Sequence, residues 1–177
     1  MRVSLAFTLL IFRIFSAINL PMVSDDERTD IYLRAWQNAS DEVRQELPIE
    51  YQAAACNMSA YEFEFMARVI QAESDGSYDW SDLEDKILIA AVIFNRVESR
   101  QFNNTISGVL TESGQFSTVS GGWCSCRYSD SSRWAIVEAQ RRLLVDEIPR
   151  DLLYFNCIGY NYGTAYGCYG GNYFMRG

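Results

Sequence analysis

Apolar positions along the chain fall at helical spacing for most of its length and shift to short extended runs only near the end. The segment from Ser59 to Ser74 (SAYEFEFMARVIQAES) carries a stripe of Met66, Val69 and Ile70, and Ser59 with Glu62 forms the S-x-x-E signature of a helix N-terminus. Glu73 continues that stripe, and Gly76 follows as a helix stop. Lys86 to Ser99 (KILIAAVIFNRVES) predicts a second helix, apolar on almost every side and therefore central, with Asn95 and Arg96 as its polar exceptions. Ser131 to Val145 predicts a third, amphipathic helix with Trp134, Val137 and Leu144 on one side. Gln101 to Gly122 reads as loop with short apolar pieces around Ile106 to Leu110. After Pro149, Leu152 to Phe155 and Asn172 to Arg176 predict short strands, and the Gly/Tyr-rich stretch between Gly159 and Gly171 reads as loops. These elements predict a single α+β domain, mainly α, with helices around a central apolar one and a small sheet near a cleft.

Upstream, Asp25 to Leu47 places Ile31, Tyr32, Ala35, Trp36, Ala39 and Val43 at helical spacing behind acidic residues, and Pro48 ends it. It reads as a pre-domain helix or spacer. Met1 to Leu20 (MRVSLAFTLLIFRIFSAINL) is an apolar run behind a basic residue, interrupted by Arg13, which suits a secretory signal or weak signal anchor better than a permanent membrane span. The expected organisation is an export segment over 1–24, a spacer over 25–50 and a catalytic domain over 51–177.

Composition narrows the chemistry. A net charge of −8 argues against a nucleic-acid partner and against docking on anionic lipid through basic residues. The chain has no histidine, which removes Ser–His–Asp and Cys–His nucleophile systems and the usual hydrolytic zinc sites. Carboxylate acid–base catalysis is the main hydrolytic chemistry left at neutral pH. Eleven Tyr, ten Phe and four Trp suit a groove that stacks sugar rings, although an aromatic-rich core satisfies the same numbers. Of the five cysteines, Cys124, Cys126, Cys157 and Cys168 are candidates for disulfides in an exported chain, pairing Cys157 with Cys168 or either with the Cys124/Cys126 pair. Buried free thiols and a zinc site are the alternatives, in that order. No cofactor is implied.

Glu73 is the candidate acid. A carboxylate at a helix C-terminus meets the negative end of the helix dipole, and one on an apolar stripe is partly desolvated. Both effects hold its proton toward neutral pH, as a glycosidase acid requires. By pattern alone, a solvated Glu at a fraying helix end is the commoner case.

Three blocks in order change that weighting: FMARVIQAES (65–74), ILIAAVIFNRVESRQFNNTISGVLTESGQFS (87–117), and LYFN through GGNYF (153–174). Together they resemble the cell-wall hydrolase family that includes the spore cortex-lytic enzymes. The resemblance covers roughly residues 59–177. It implies a lysozyme-like fold, related to lytic transglycosylases, and an enzyme acting on peptidoglycan glycan strands; the expectation for the chain is an exported monomer, with residues 1–20 able to serve as a membrane tether. The family's A-E motif falls on Ala72-Glu73, making Glu73 the expected general acid/base. Gln115, Phe116 and Ser117 match a groove-lining triplet, with core filling an even alternative for Phe116. Tyr154, Asn156, Asn172 and Tyr173 are the further expected substrate contacts. Asn95 and Arg96 match a structural pair. The C-terminal motif departs from the family pattern, because Asn172 stands where a histidine is usual, and asparagine hydrogen-bonds but does not titrate. The implied reaction is cleavage between N-acetylmuramic acid and N-acetylglucosamine with closure of a 1,6-anhydro ring. The rivals are a two-carboxylate muramidase using Asp75, Asp79, Asp82 or Glu84, and a non-catalytic peptidoglycan-binding module.

Overall fold

The computed structural model describes residues 49–74 and 78–177, together with Glu27 and Arg34. The export segment expected over 1–24, most of the helix predicted over 25–47, Asp75 and Gly76 lie outside the described residues. Within them the order is α1 (Ile49–Ala55), α2 (Ala60–Glu73), α3 (Leu83–Glu98), α4 (Ile106–Thr111), α5 (Asp130–Leu144), β1 (Leu152–Asn156), β2 (Thr164–Tyr169) and β3 (Asn172–Arg176). No helix among the described residues is long and apolar enough to cross a membrane.

Helix α2 starts where the sequence says it should. The Ser59 hydroxyl accepts from the Glu62 N–H, and the Glu62 carboxylate accepts from the Ser59 N–H. This reciprocal cap satisfies two otherwise orphaned donors and contributes about 1 kcal/mol. Helix α3 is the centre of the fold: Ile87 through Ile93 are each 1% exposed or less, and α3 packs on α5, α4, α2 and β1. The apolar-all-round pattern is what a helix enclosed by neighbours requires. Helix α1 crosses the expected 50/51 boundary: it buries Gln52, Ala53 and Ala55, and Ile49 before the boundary packs against the core.

The rotation of α2 is fixed by a buried polar seam. Gln71 Oε1 accepts from the Ser129 hydroxyl at 2.6 Å and the Ser132 hydroxyl at 2.8 Å, at the start of α5. Lys86 Nζ donates to the Ser131 hydroxyl at 2.8 Å nearby. At about 100° per residue, pinning Gln71 against α5 turns Glu73 to nearly the opposite side of the helix.

The sheet is antiparallel with order β1-β3-β2. Strand β2 lies in the stretch expected to be loop. It is an exposed edge strand joined to β3 by a two-residue turn at Gly170 and Gly171, both at positive φ (53° and 85°). That is the type I′ geometry that two glycines favour between strands. A side chain at Gly170 would collide with Asp85, so the turn packs directly on α3. The result is a mainly helical α+β domain with a small sheet beside its cleft, the expected class.

The disulfides expected among Cys124, Cys126, Cys157 and Cys168 do not form, and every cysteine is a free thiol. Asn156, the neighbour of Cys157, and Cys168 flank Tyr173 from opposite sides, because β3 runs between β1 and β2. Two strand spacings, about 10 Å, exceed the roughly 4.4–6.8 Å Cα separation a disulfide spans. Cys124 is buried in the core, while the Cys126 thiol donates to the Arg127 carbonyl at 3.2 Å. Burial pushes the Cys56 thiol far above its ordinary range and leaves it unreactive.

Candidate active site

An open cavity of about 720 Å³ lies where the C-terminal end of α2 meets the sheet. Glu73 and Arg96 line it, with Gly114, Gln115, Ser117 and Thr118 from one segment and with residues of β1, the segment after it and the Gly170–Gly171 turn. Among the described lining residues Glu73 is the one carboxylate and Arg96 the one cation; the rest are neutral, polar or aromatic.

Glu73 is half-buried, and burial raises its carboxyl above the ordinary range. Three weaker influences oppose that rise: a hydrogen bond from the Thr118 hydroxyl, one from the Thr118 backbone, and the charge of Arg96. The Thr118 hydroxyl donates to Glu73 Oε1 at 2.8 Å and fixes the carboxylate's direction. Desolvation thus favours the protonated acid, while one short hydrogen bond keeps the ionised form accessible, as a group that gives and then takes a proton needs. Thr118 follows the Gln115–Ser117 triplet directly. The sequence reading missed it, because a threonine in a Ser/Gly-rich loop carries no pattern of its own.

Asn172 holds the end of α2 from the other side. Its Nδ2 donates to the Glu73 main-chain carbonyl at 3.1 Å and to the Asp85 carboxylate at 3.1 and 3.3 Å. That carbonyl is one of the orphaned acceptors every helix leaves at its C-terminus. Asn172, an expected substrate contact, lines the cavity, but its amide donors are spent inside the protein and the residue is 6% exposed. Its work is to tie the helix carrying the acid to the hairpin and to a buried carboxylate.

The other expected contacts divide. Gln115, Ser117, Tyr154 and Asn156 line the cavity. Phe116 does not: it is 4% exposed and packs under the Arg96 guanidinium and against Phe155, so the core alternative holds. Tyr173 also lies off the cavity. Alternation along β3 puts it on the face opposite Asn172 and Phe174, edge-on to Tyr160 at 5.1 Å. Arg96 and Asn95 brace β1 itself, through hydrogen bonds to the Leu153 carbonyl and to the Pro149 and Leu152 carbonyls. Arg96 also lies over the rings of Phe102 and Phe116, and burial lowers it to about 10, still a cation at neutral pH. Tyr162 and Cys157, singled out by no motif, line the cavity beside Asn156.

Three of the four rival second carboxylates are occupied elsewhere, and the fourth, Asp75, lies outside the described residues. Asp79 accepts from the Ser81 N–H and hydroxyl, and Glu84 takes both its oxygens to Arg142 at 2.8 and 2.9 Å. The Asp82 carboxylate accepts from the Ser81 hydroxyl at 3.5 Å. None of the three lines the cavity.

Residues 80–161 match the family model described as Cell Wall Hydrolase, a segment that begins after Glu73. Curated relatives include the spore cortex-lytic enzyme of Oceanobacillus iheyensis, 32% identical over 98 residues, covering 55% of this chain and 33% of that protein. The spore cortex-lytic enzyme of Bacillus subtilis is 31% identical over 108 residues, covering 59% of this chain and 33% of that protein. The chain therefore spans about a third of the length of these relatives. Among solved structures, the catalytic domain of the germination-specific lytic transglycosylase SleB from Bacillus anthracis matches 65% of this chain and 93% of its own, at 22% identity and a TM-score of 0.49. The catalytic domain of the Bacillus cereus SleB protein matches 67% and 91%, at 25% identity and the same TM-score. On the sequence matches, residues 80–161 are similar to the cell wall hydrolase family, and the chain is similar over about 100 residues to the spore cortex-lytic enzymes.

Proposed function

We propose that the chain cleaves peptidoglycan glycan strands between N-acetylmuramic acid and N-acetylglucosamine as a lytic transglycosylase, with Glu73 as general acid and then general base. The observation that carries this reading is the lone carboxylate among the described residues of the cleft, half-buried and raised toward neutral pH. A two-carboxylate glycosidase needs a partner carboxyl about 5–10 Å away across the bond. Asp79, Asp82 and Glu84 lie off the cavity, which favours the single-acid route.

In that route protonated Glu73 gives its proton to the glycosidic oxygen as the bond to C1 of the muramic unit breaks. The Glu73 carboxylate then takes the proton from the C6 hydroxyl of the same unit, whose oxygen bonds to C1 and closes the 1,6-anhydro ring. The acid is restored and no water is consumed. Thr118 steadies the carboxylate between its two roles. Arg96 stabilises its ionised state by charge. Asn172, standing where the family usually has histidine, holds the end of α2 and does not need to titrate, so its presence is compatible with turnover. A substrate of this kind places the enzyme's work at the cell envelope, and residues 1–24 read as the segment that exports it.

The test is mass analysis of fragments released from purified peptidoglycan by the wild-type chain and by Glu73→Gln. The expected result is anhydro-muramyl ends from the wild type and a loss of about 10²–10⁴-fold in the variant. Reducing ends in place of anhydro ends make the enzyme a hydrolase; no fragments, with glycan binding retained, leave a binding module.

A further inference from the structure

The segment between β1 and β2 is a Tyr/Gly-rich stretch that the sequence reading left as loop and that the proposed chemistry does not use. It carries Tyr162, which is 61% exposed and yet firmly placed. The Tyr162 ring stacks on Tyr154 with centroids 5.5 Å apart and planes at 27°. Its N–H donates to the Met175 sulfur at 3.3 Å, tying the segment down on the outer face of the sheet. The next residue, Gly163, has φ +51°, and a side chain there would overlap the Arg176 carbonyl, so only glycine lets the chain pass so close to β3. At the start of the segment Asn156 Oδ1 accepts the N–H groups of Ile158 and Gly159 at 2.8 and 2.9 Å. These contacts hold a large aromatic face open to solvent at the rim of the cavity that contains Glu73. An aromatic ring fixed in the open gives up the stabilisation that burial would bring, which marks it as a surface for a ligand.

The neighbourhood selects the ligand. With its Oδ1 occupied by two backbone donors, Asn156 has its Nδ2 donors to offer beside the tyrosine pair. Apart from Glu73 and Arg96, the described lining is neutral, which suits an uncharged ligand with both apolar C–H faces and hydrogen-bonding groups. The geometry points to the Tyr162–Tyr154 pair as a stacking platform for an N-acetylated hexosamine unit of the glycan strand, next to the unit cleaved at Glu73, with the Asn156 amide donating to its acetamido or hydroxyl oxygens. This subsite rests on the glycan-cleaving reading of the cavity. It also explains why an exposed tyrosine is anchored through its backbone while its ring is left bare.

The experiment is equilibrium binding of uncrosslinked peptidoglycan glycan strands to the full chain carrying Glu73→Gln, with and without Tyr162→Ala or Tyr162→Phe. Because the Tyr162 ring is exposed, neither change disturbs the core. The platform predicts about tenfold weaker binding for Tyr162→Ala and affinity within about twofold for Tyr162→Phe, which keeps the ring. Equal affinity of Tyr162→Ala and its parent overturns the platform, as does absence of glycan binding by the Glu73→Gln chain. If the wild type releases no fragments but strand binding depends on the Tyr162 ring, the platform stands and the catalytic reading falls. If the wild type releases fragments through Glu73 while Tyr162→Ala binds like its Glu73→Gln parent, the platform alone falls.

Discussion

Helix α3 and strand β2 are built on opposite terms. From Ile87 to Ile93 α3 exposes no side chain beyond 1%, whereas every residue of β2 except Gly167 is exposed. The helical layer carries the apolar burial that stabilises the fold; the sheet and its loops offer little burial and present groups to solvent. The cleft sits on the seam, and Glu73, its candidate acid, shares in both. Glu73 is carried by a helix whose rotation is fixed by Gln71 in the helical layer. It is then held by Asn172 from the sheet and by Thr118 from a loop. Rigidity comes from one region and the remaining partners of Glu73 from the other, an arrangement that suits a site needing fixed geometry and open access.

The strongest challenge to this division is a matched pair of truncations. Phe63→Ala in the fully buried face of α2 is expected to cost about 3–5 kcal/mol, and Ile158→Ser, at an 82% exposed position after β1, is expected to stay within about 0.5 kcal/mol, both by urea unfolding. Comparable losses at the two positions would break the comparison. On the seam, Asn172→Leu removes the donor shared by the Glu73 carbonyl and the buried Asp85 carboxylate. An unfolding cost of about 1–3 kcal/mol is expected, with a slower rate as the end of α2 loosens. Stability lost with the rate unchanged would reduce Asn172 to a structural role alone.

Thr118→Val tests the loop's share. Its hydroxyl lowers the Glu73 carboxyl by binding the ionised form, so its removal raises that carboxyl further. The alkaline limb of the pH–rate profile, where the acid loses its proton, should move to higher pH, with a rate loss of about fivefold. A limb that moves down or stays put would contradict the assignment. The smallest effect concerns stability. A carboxyl raised on folding contributes fully below its unfolded pKa, and that contribution is lost as pH rises through the folded one. Glu73→Gln is therefore expected to melt higher than the wild type above the raised pKa, with the gap closing as pH falls below the ordinary carboxylate range.

Much of the helical layer was legible because its signals are local. The Ser59–Glu62 box, the apolar run of α3 and the stripe leading to Glu73 each state an element in a few residues, and the structure has all three. Strands β1 and β3 were legible as apolar runs packed on α3 and its neighbours. Strand β2 was not, since an exposed edge strand has no buried face to print a two-residue period, although the Gly170–Gly171 pair was the available turn signal. In the site, the position of Glu73 followed from helical spacing, but its partners came from residues 45 and 99 positions away. Contacts that distant depend on how β3 and the 114–118 segment fold back, which no local pattern encodes. The same limit left Phe116 open between groove and core and put Tyr173 at the groove, although its side chain lies off the cavity. Cysteine count suggested disulfides because it carries no information on strand order, and β3 stands between Cys157 and Cys168.

Glu73 serves as a proton donor only if the fold raises its carboxyl, and the most direct measurement is a pH titration of the Glu73 side-chain carboxyl carbon by NMR in the folded chain, assigned by its loss in Glu73→Gln. The expected result is a midpoint above the ordinary glutamate range that rises further in Thr118→Val. A midpoint at or below that range would show the carboxylate fully ionised at neutral pH and contradict its role as the acid.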